Sequence, residues 1–194
     1  MTPSSFRFDK AAHEYFLDGE LVPHITGMLE QTGWIDSTWM SEESSVRGTA
    51  IHALTAAYDF GALDITDEDA GGIYRGWLLG YAAAMKMLGQ PTWDEIEQPG
   101  AHPTFRFGGR PDRVGKVFGV KTVMEIKSGA AMKSHPIQTA LQAILRSASN
   151  GLPAELWGRR ALYLKANGTF RIPPHCDKSD FVEAYKVIKR CCST

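Results

Sequence analysis

Beyond Pro91 the chain runs through short apolar and β-branched stretches, at Ile96, Phe105-Arg106-Phe107, Val114, Val117-Phe118 and Val120 to Ile126, separated by Gly100, Gly108, Gly109, Gly115, Gly119 and Gly129. Glycine at this density excludes a long helix and favours tight turns, so the region predicts a meander of three or four strands. The rest of the chain must cover that sheet. Glu14 to Leu17 and Glu20 to Val22 flank Asp18-Gly19, which suits a two-residue turn, and predict an N-terminal hairpin. A short helix from Thr26, an aromatic-rich loop over 33–39, a helix from Ser41 to Tyr58 and a longer one from Thr66 to Gly89 follow. Helical spacing returns from Ile137 to Ser147, Asn167-Gly168 turns a second hairpin, and Asp180 to Arg190 is a final amphipathic helix.

This order predicts one α/β domain over 1–194, with a central mixed or mostly antiparallel sheet flanked by helices. The N-terminal hairpin and loop occupy 1–40, a helical segment 41–90, and the sheet with its following helices 91–194. No apolar run approaches the roughly 20 residues that span a bilayer, and the first residues lack a signal-peptide pattern, so a soluble, cytoplasmic protein with no membrane partner is expected. Three cysteines, Cys176, Cys191 and Cys192, suggest neither a disulfide framework nor a metal-binding pair. No phosphate-loop motif is present, so no nucleotide cofactor is expected.

The net charge of −1 conceals a division: residues 1–70 hold 13 acidic against 3 basic side chains, and residues 71–194 hold 9 against 18. Between Ala101 and Lys133 the bias sharpens to Arg106, Arg110, Arg113, Lys116, Lys121, Lys127 and Lys133 against Asp112 and Glu125. Such a stretch fits a solvated strand face and a phosphate-binding track equally.

The chemistry concentrates in Gly109-Arg110-Pro111-Asp112-Arg113-Val114 and Glu125-Ile126-Lys127. On a strand, Glu125 and Lys127 share a face while Ile126 points to the other. If the strand of Asp112 lies alongside, Asp112, Glu125 and the Ile126 carbonyl form a hard oxygen site suited to Mg²⁺ or Mn²⁺, with Lys127 beside it. That set fits phosphodiester hydrolysis, in which a metal activates water and a lysine orients it or stabilises developing charge. Alternating charges on a solvent-facing strand would explain the triplet without chemistry.

Taken together, Pro111-Asp112 with Glu125-Ile126-Lys127, Arg47-Gly48-Thr49-Ala50-Ile51-His52, Ile96-Glu97, and Gln138 within Ile137 to Gln142 resemble the motifs of the PD-(D/E)XK nuclease superfamily, in its RecB-like and phage exonuclease branch. The opening His13 to Gly19, with Pro23 and Thr26, is similar to the N-terminal hairpin of phage members. The resemblance implies a restriction-endonuclease-like core, His52 and Glu97 as further metal ligands, Gln138 facing the lysine or the scissile phosphate, and Arg47 on DNA. The chain departs from the pattern at Gln142, where many relatives carry tyrosine, and at Pro23-His24-Ile25-Thr26. No cysteine precedes Cys176, which excludes the iron–sulfur cluster of some relatives.

The function this implies is a metal-dependent exonuclease acting on the ends of linear DNA, in phage recombination or DNA processing. Asp112, Glu125, Lys127 and Gln138 are its catalytic residues, and His52, Glu97, Asp112, Glu125 and Ile126 its metal ligands. Arg47, Arg106, Arg110, Arg113 and Lys133 are expected on DNA, with the acidic first 70 residues mostly turned away. A structure-selective endonuclease or nickase, and a non-catalytic DNA-end-binding module, are the rivals. DNA is the expected partner, a single-strand annealing protein is admitted as a second, and the charge division suits a monomer's groove and a ring around a duplex alike.

Overall fold

β8 (Val120–Lys127) organises the sheet, because its two faces are buried by different layers. Val123 enters a core with Ile137, Leu141, Ile144, Phe181 and Val187, while Met124 and Ile126 enter another with Ile51, Tyr81, Met85, Leu162 and Leu164. A strand covered on both sides reads as a near-continuous apolar run, and Val123-Met124 and Ile126 follow that rule until Glu125 and Lys127 break it. The computed structural model describes residues 5–36, 38 and 41–192.

β8 pairs antiparallel with β7 (Arg113–Val117) and parallel with β9 (Gly158–Leu164). β4 (Thr92–Ile96) and β10 (Phe170–Arg171) complete a mixed five-stranded sheet in the order β10-β9-β8-β7-β4. On one face lie α1 (Ile25–Gln31), α4 (Ser134–Asn150) and α5 (Ser179–Cys191); on the other, α2 (Glu42–Asp59) and α3 (Arg75–Met87). The parallel step from β8 to β9 is made through α4, the crossover such pairing requires. The expected single α/β domain with a helix-flanked mixed sheet is the fold observed. No described helix is long and apolar enough to cross a membrane.

The hairpin at Asp18-Gly19 forms between β2 (Glu14–Leu17) and β3 (Glu20–Val22), and an unanticipated β1 (Phe6–Asp9) adds to β2. This small sheet docks through Gly108, whose missing side chain admits the Tyr15 ring. Gly108 belongs to β6 (Phe107–Gly109), which pairs with β5 (Gly100–His102) as a separate ladder. The glycine-rich region therefore holds five strands rather than three or four.

The helix expected from Thr66 begins only at Arg75. Asp64 accepts from the Thr66 amide and Asp67 from the Asp69 amide, and Gly71 and Gly72 take φ values of 86° and 49°. Aspartate side chains that satisfy nearby amides favour turns over helix. The loop expected over 33–39 falls partly outside the described residues.

Gly76, near the start of α3, lies so close to the β9–β10 turn that a Cβ would run into the Ala166 carbonyl. Since backbone cannot rotate away as a side chain can, Gly76→Ala is expected to cost about 3 kcal/mol, read as a lower urea midpoint.

Burial lowers the pKa of His135 to about 4, helped by Lys127, and that of His175 to about 4, helped by Arg159. Both are neutral in the native state, and below the ordinary value of 6.5 the unfolded chain binds protons that the folded one refuses. Their contribution to stability should fall as pH drops from 6.5 and level off below about 4. Urea titrations at pH 7 and 5 should show a smaller acid penalty in His135→Gln and in His175→Gln than in the parent.

Candidate metal centre

Three segments distant in sequence bring ligating atoms together. α2 starts where the Ser41 hydroxyl accepts from the Ser44 amide, with Glu42 and Glu43 in the favourable first turn, and it carries His52 inward. Glu97 follows β4 with φ at 51°, a left-handed conformation rare for a residue with a side chain, and its amide donates to the Asp112 carbonyl at 3.0 Å. Asp112 immediately precedes β7 and is buried. Backbone strain of this kind persists only where the surroundings enforce it, and it gathers at functional sites.

His52, Glu97 and Asp112 each offer a ligand atom, all within 4.8 Å of one another. His52 Nδ1 stands 2.9 Å from Glu97 Oε1 and 3.3 Å from Asp112 Oδ1. Burial alone would lower the His52 pKa, but Asp112 and then Glu97 outweigh it and hold the imidazole well above 6.5. A proton thus sits where two carboxylates attract a cation.

Asp112 also ties this group to β8, since its Oδ2 accepts from the Ile126 amide at 2.6 Å. On the neighbouring face Glu125 is clamped: Lys127 Nζ at 2.9 Å and Gln138 Nε2 at 2.7 Å donate to Oε1, and Gln142 Nε2 donates to Oε2 at 2.5 Å. Glu125 and Lys127 share a face while Ile126 is buried on the other, as strand alternation requires. Burial opposes charge on Lys127, yet Glu125 and Asp112 raise its pKa above 10.5, so it is an ammonium and not a base.

A polar cavity of about 150 Å³ is lined by Asp112, Glu125, Gln138, Gln142 and Arg110 together with His13, Tyr15, His24, Ile25 and Thr26, while His52, Glu97 and Lys127 are not among its lining residues. The hairpin region is therefore a wall of the site rather than turned away from it. Its aromatic residues interlock, with the His13 ring 5.5 Å from Tyr15 and 5.4 Å from His24.

The five expected metal ligands divide. His52, Glu97 and Asp112 converge, Glu125 adjoins them with donors on both oxygens, and Ile126 meets Asp112 through its amide. Of the residues expected on DNA, Arg110 lines the cavity, 3.3 Å from Glu97, Lys133 is exposed just before α4, and Arg47 lies on α2 near Glu43. Arg113 requires correction: fully buried, it donates to Asp59, Thr55 and the Asp112 carbonyl, and no phosphate can reach it. Arg106 is likewise committed elsewhere, donating to the Leu17 carbonyl and pairing with Asp18 and Glu20 of the hairpin, with φ at 52°. The sequence reading missed Gln142 as a partner of Glu125. The signal was the spacing of Gln138 and Gln142, which sets both amides on one helix face.

A comparison with models of protein families matches none, and one with curated proteins finds no significant match.

An imidazole and two carboxylates are a donor set of the kind that holds a divalent cation. Because His52 must lose its proton to ligate, cation uptake should release a proton, and affinity should rise with pH until His52 is neutral. Titration calorimetry with Mn²⁺ in buffers of different ionisation enthalpy should detect that release, and Asp112→Asn should weaken binding at least about tenfold.

Proposed function

We propose that this chain is a metal-dependent deoxyribonuclease of the PD-(D/E)XK kind that hydrolyses phosphodiester bonds from the ends of linear DNA. The observation that carries the reading is the double engagement of Asp112, whose Oδ1 faces His52 while its Oδ2 holds the Ile126 amide. One carboxylate thereby joins the His52–Glu97 pair to the strand that presents Glu125 and Lys127, the neighbours phosphodiester hydrolysis requires.

His52, Glu97 and Asp112 would hold the cation, which when bound would supply Lewis-acid polarisation of the phosphate and a more acidic water. Lys127, kept charged by Glu125 and Asp112, offers ammonium hydrogens to a phosphate oxygen as negative charge grows in the transition state. Gln138 and Gln142 fix the Glu125 carboxylate so that it need not reorganise during the reaction. Arg110, partly exposed at the cavity, and Lys133 meet the DNA backbone. Phosphate contacts of this kind carry little sequence information and weaken with salt.

Purified protein with Mg²⁺ or Mn²⁺ should degrade end-labelled linear duplex or single strands progressively and spare covalently closed circles. Lys127→Ala should lose about 1,000-fold or more in turnover while still binding DNA. Efficient cutting of closed circles would make the enzyme an endonuclease. DNA binding with no cleavage under any metal would leave only an end-binding module.

A further inference from the structure

Gln142 is 2% exposed, and its two amide atoms are treated unequally. Nε2 donates to Glu125 Oε2 at 2.5 Å, whereas Oε1 is buried without any hydrogen-bond donor. Turning the amide over cannot cure this, because Oε1 would then face a carboxylate oxygen with no hydrogen between them. Glu125 therefore fixes the orientation and aims an unpaired acceptor. A buried acceptor left without a donor is costly and calls for a partner. Both Gln142 and Glu125 line the cavity, and Glu125 Oε2 receives Gln142 alone among the described residues, so it retains a free lone pair. Two acceptors thus belong to neighbouring side chains that both line the cavity, with Gln142 Oε1 itself sealed from bulk solvent.

We propose that Gln142 Oε1 and Glu125 Oε2 together hold the water that attacks the phosphate, an inference that rests on the nuclease reading above. Water is the nucleophile with two donor hydrogens. Giving one to Gln142 and the other to Glu125 directs an oxygen lone pair out into the cavity. In the reaction that lone pair forms the new P–O bond and the hydrogen shared with Glu125 passes to its carboxylate. The scissile P–O bond breaks with its electron pair kept by the departing sugar oxygen, which takes a proton from solvent. Gln142 is on this account a catalytic residue, selecting a nucleophile that fills both acceptors.

The test uses the partition between nucleophiles. Methanol carries one donor hydrogen, so a site built for two should discriminate against it. Cleavage of linear DNA in water–methanol mixtures, with the new ends analysed by mass spectrometry, reports the ratio of methyl ester to free phosphate. Gln142→Met removes the acceptor, and with it the Nε2 donor to Glu125, at nearly constant volume, so the nucleophile ratio rather than the rate isolates the acceptor. It should slow hydrolysis about 100-fold, leave DNA affinity within about twofold, and raise the methyl-ester share about three- to tenfold, the worth of one hydrogen bond. Gln142→Glu, which keeps an acceptor oxygen, should be slow yet retain the parent ratio. A crystal of the unaltered protein should show an ordered water within about 3.2 Å of both oxygens. An unchanged rate or ratio in Gln142→Met, or the lack of that water, overturns the role of Gln142 while the nuclease reading stands. Failure of the unaltered protein to cleave any DNA overturns both.

Discussion

The site depends on one buried cation. Arg113 is sealed from solvent, and its guanidinium reaches Asp59 and Thr55 on α2 while also donating to the carbonyl of Asp112. A buried guanidinium is tolerated only when its donors are matched, and the matching here spans two layers of the fold. The carbonyl it grips belongs to the residue that His52 faces, so the same side chain sets how α2 lies against the sheet and where Asp112 sits. Tyr81 reinforces the arrangement by donating to Asp59 at 2.6 Å.

From that anchor the site grows by shared partners. Asp112 receives the Glu97 amide on its carbonyl, the Ile126 amide on one carboxylate oxygen and the His52 ring beside the other. Glu125, one strand position from Ile126, is held by groups from β8 and α4. Acids that would repel one another in isolation are thus kept close by amides and cations whose positions the fold dictates. Preorganisation of this kind is what a reaction that builds negative charge requires.

Much of this was legible in the chain. Period-two alternation in Val123 to Lys127 fixes which side chains share a face, and the strand has that geometry. Ser41 and the acids after it mark the start of α2 to within a residue. Charge counting failed at Arg113, because a basic residue among glycines and valines looks the same whether it faces solvent or an aspartate more than fifty positions away. Long-range pairing leaves no local pattern. The Thr66 start of α3 failed for the opposite reason: aspartates that would cap a helix here close turns. Gln142 read as a departure from a family pattern, and only the fold shows its bond to Glu125.

α2 fully buries only Ile51 and Thr55 among its 18 residues, so apolar area contributes little. Its hold on the sheet rests on the Arg113 contacts to Asp59 and Thr55 near its C-terminal end, with His52 a turn further back. Helices with few buried contacts open locally at a fraction of the free energy of global unfolding. Such opening would carry His52 away from Glu97 and Asp112 while the five-stranded sheet with α4 and α5 stayed intact. The centre is therefore less durable than the scaffold around it. On warming, it should dissolve before the molecule melts and reassemble on cooling without passing through an unfolded chain, and amides of α2 should exchange with solvent ahead of those of β8.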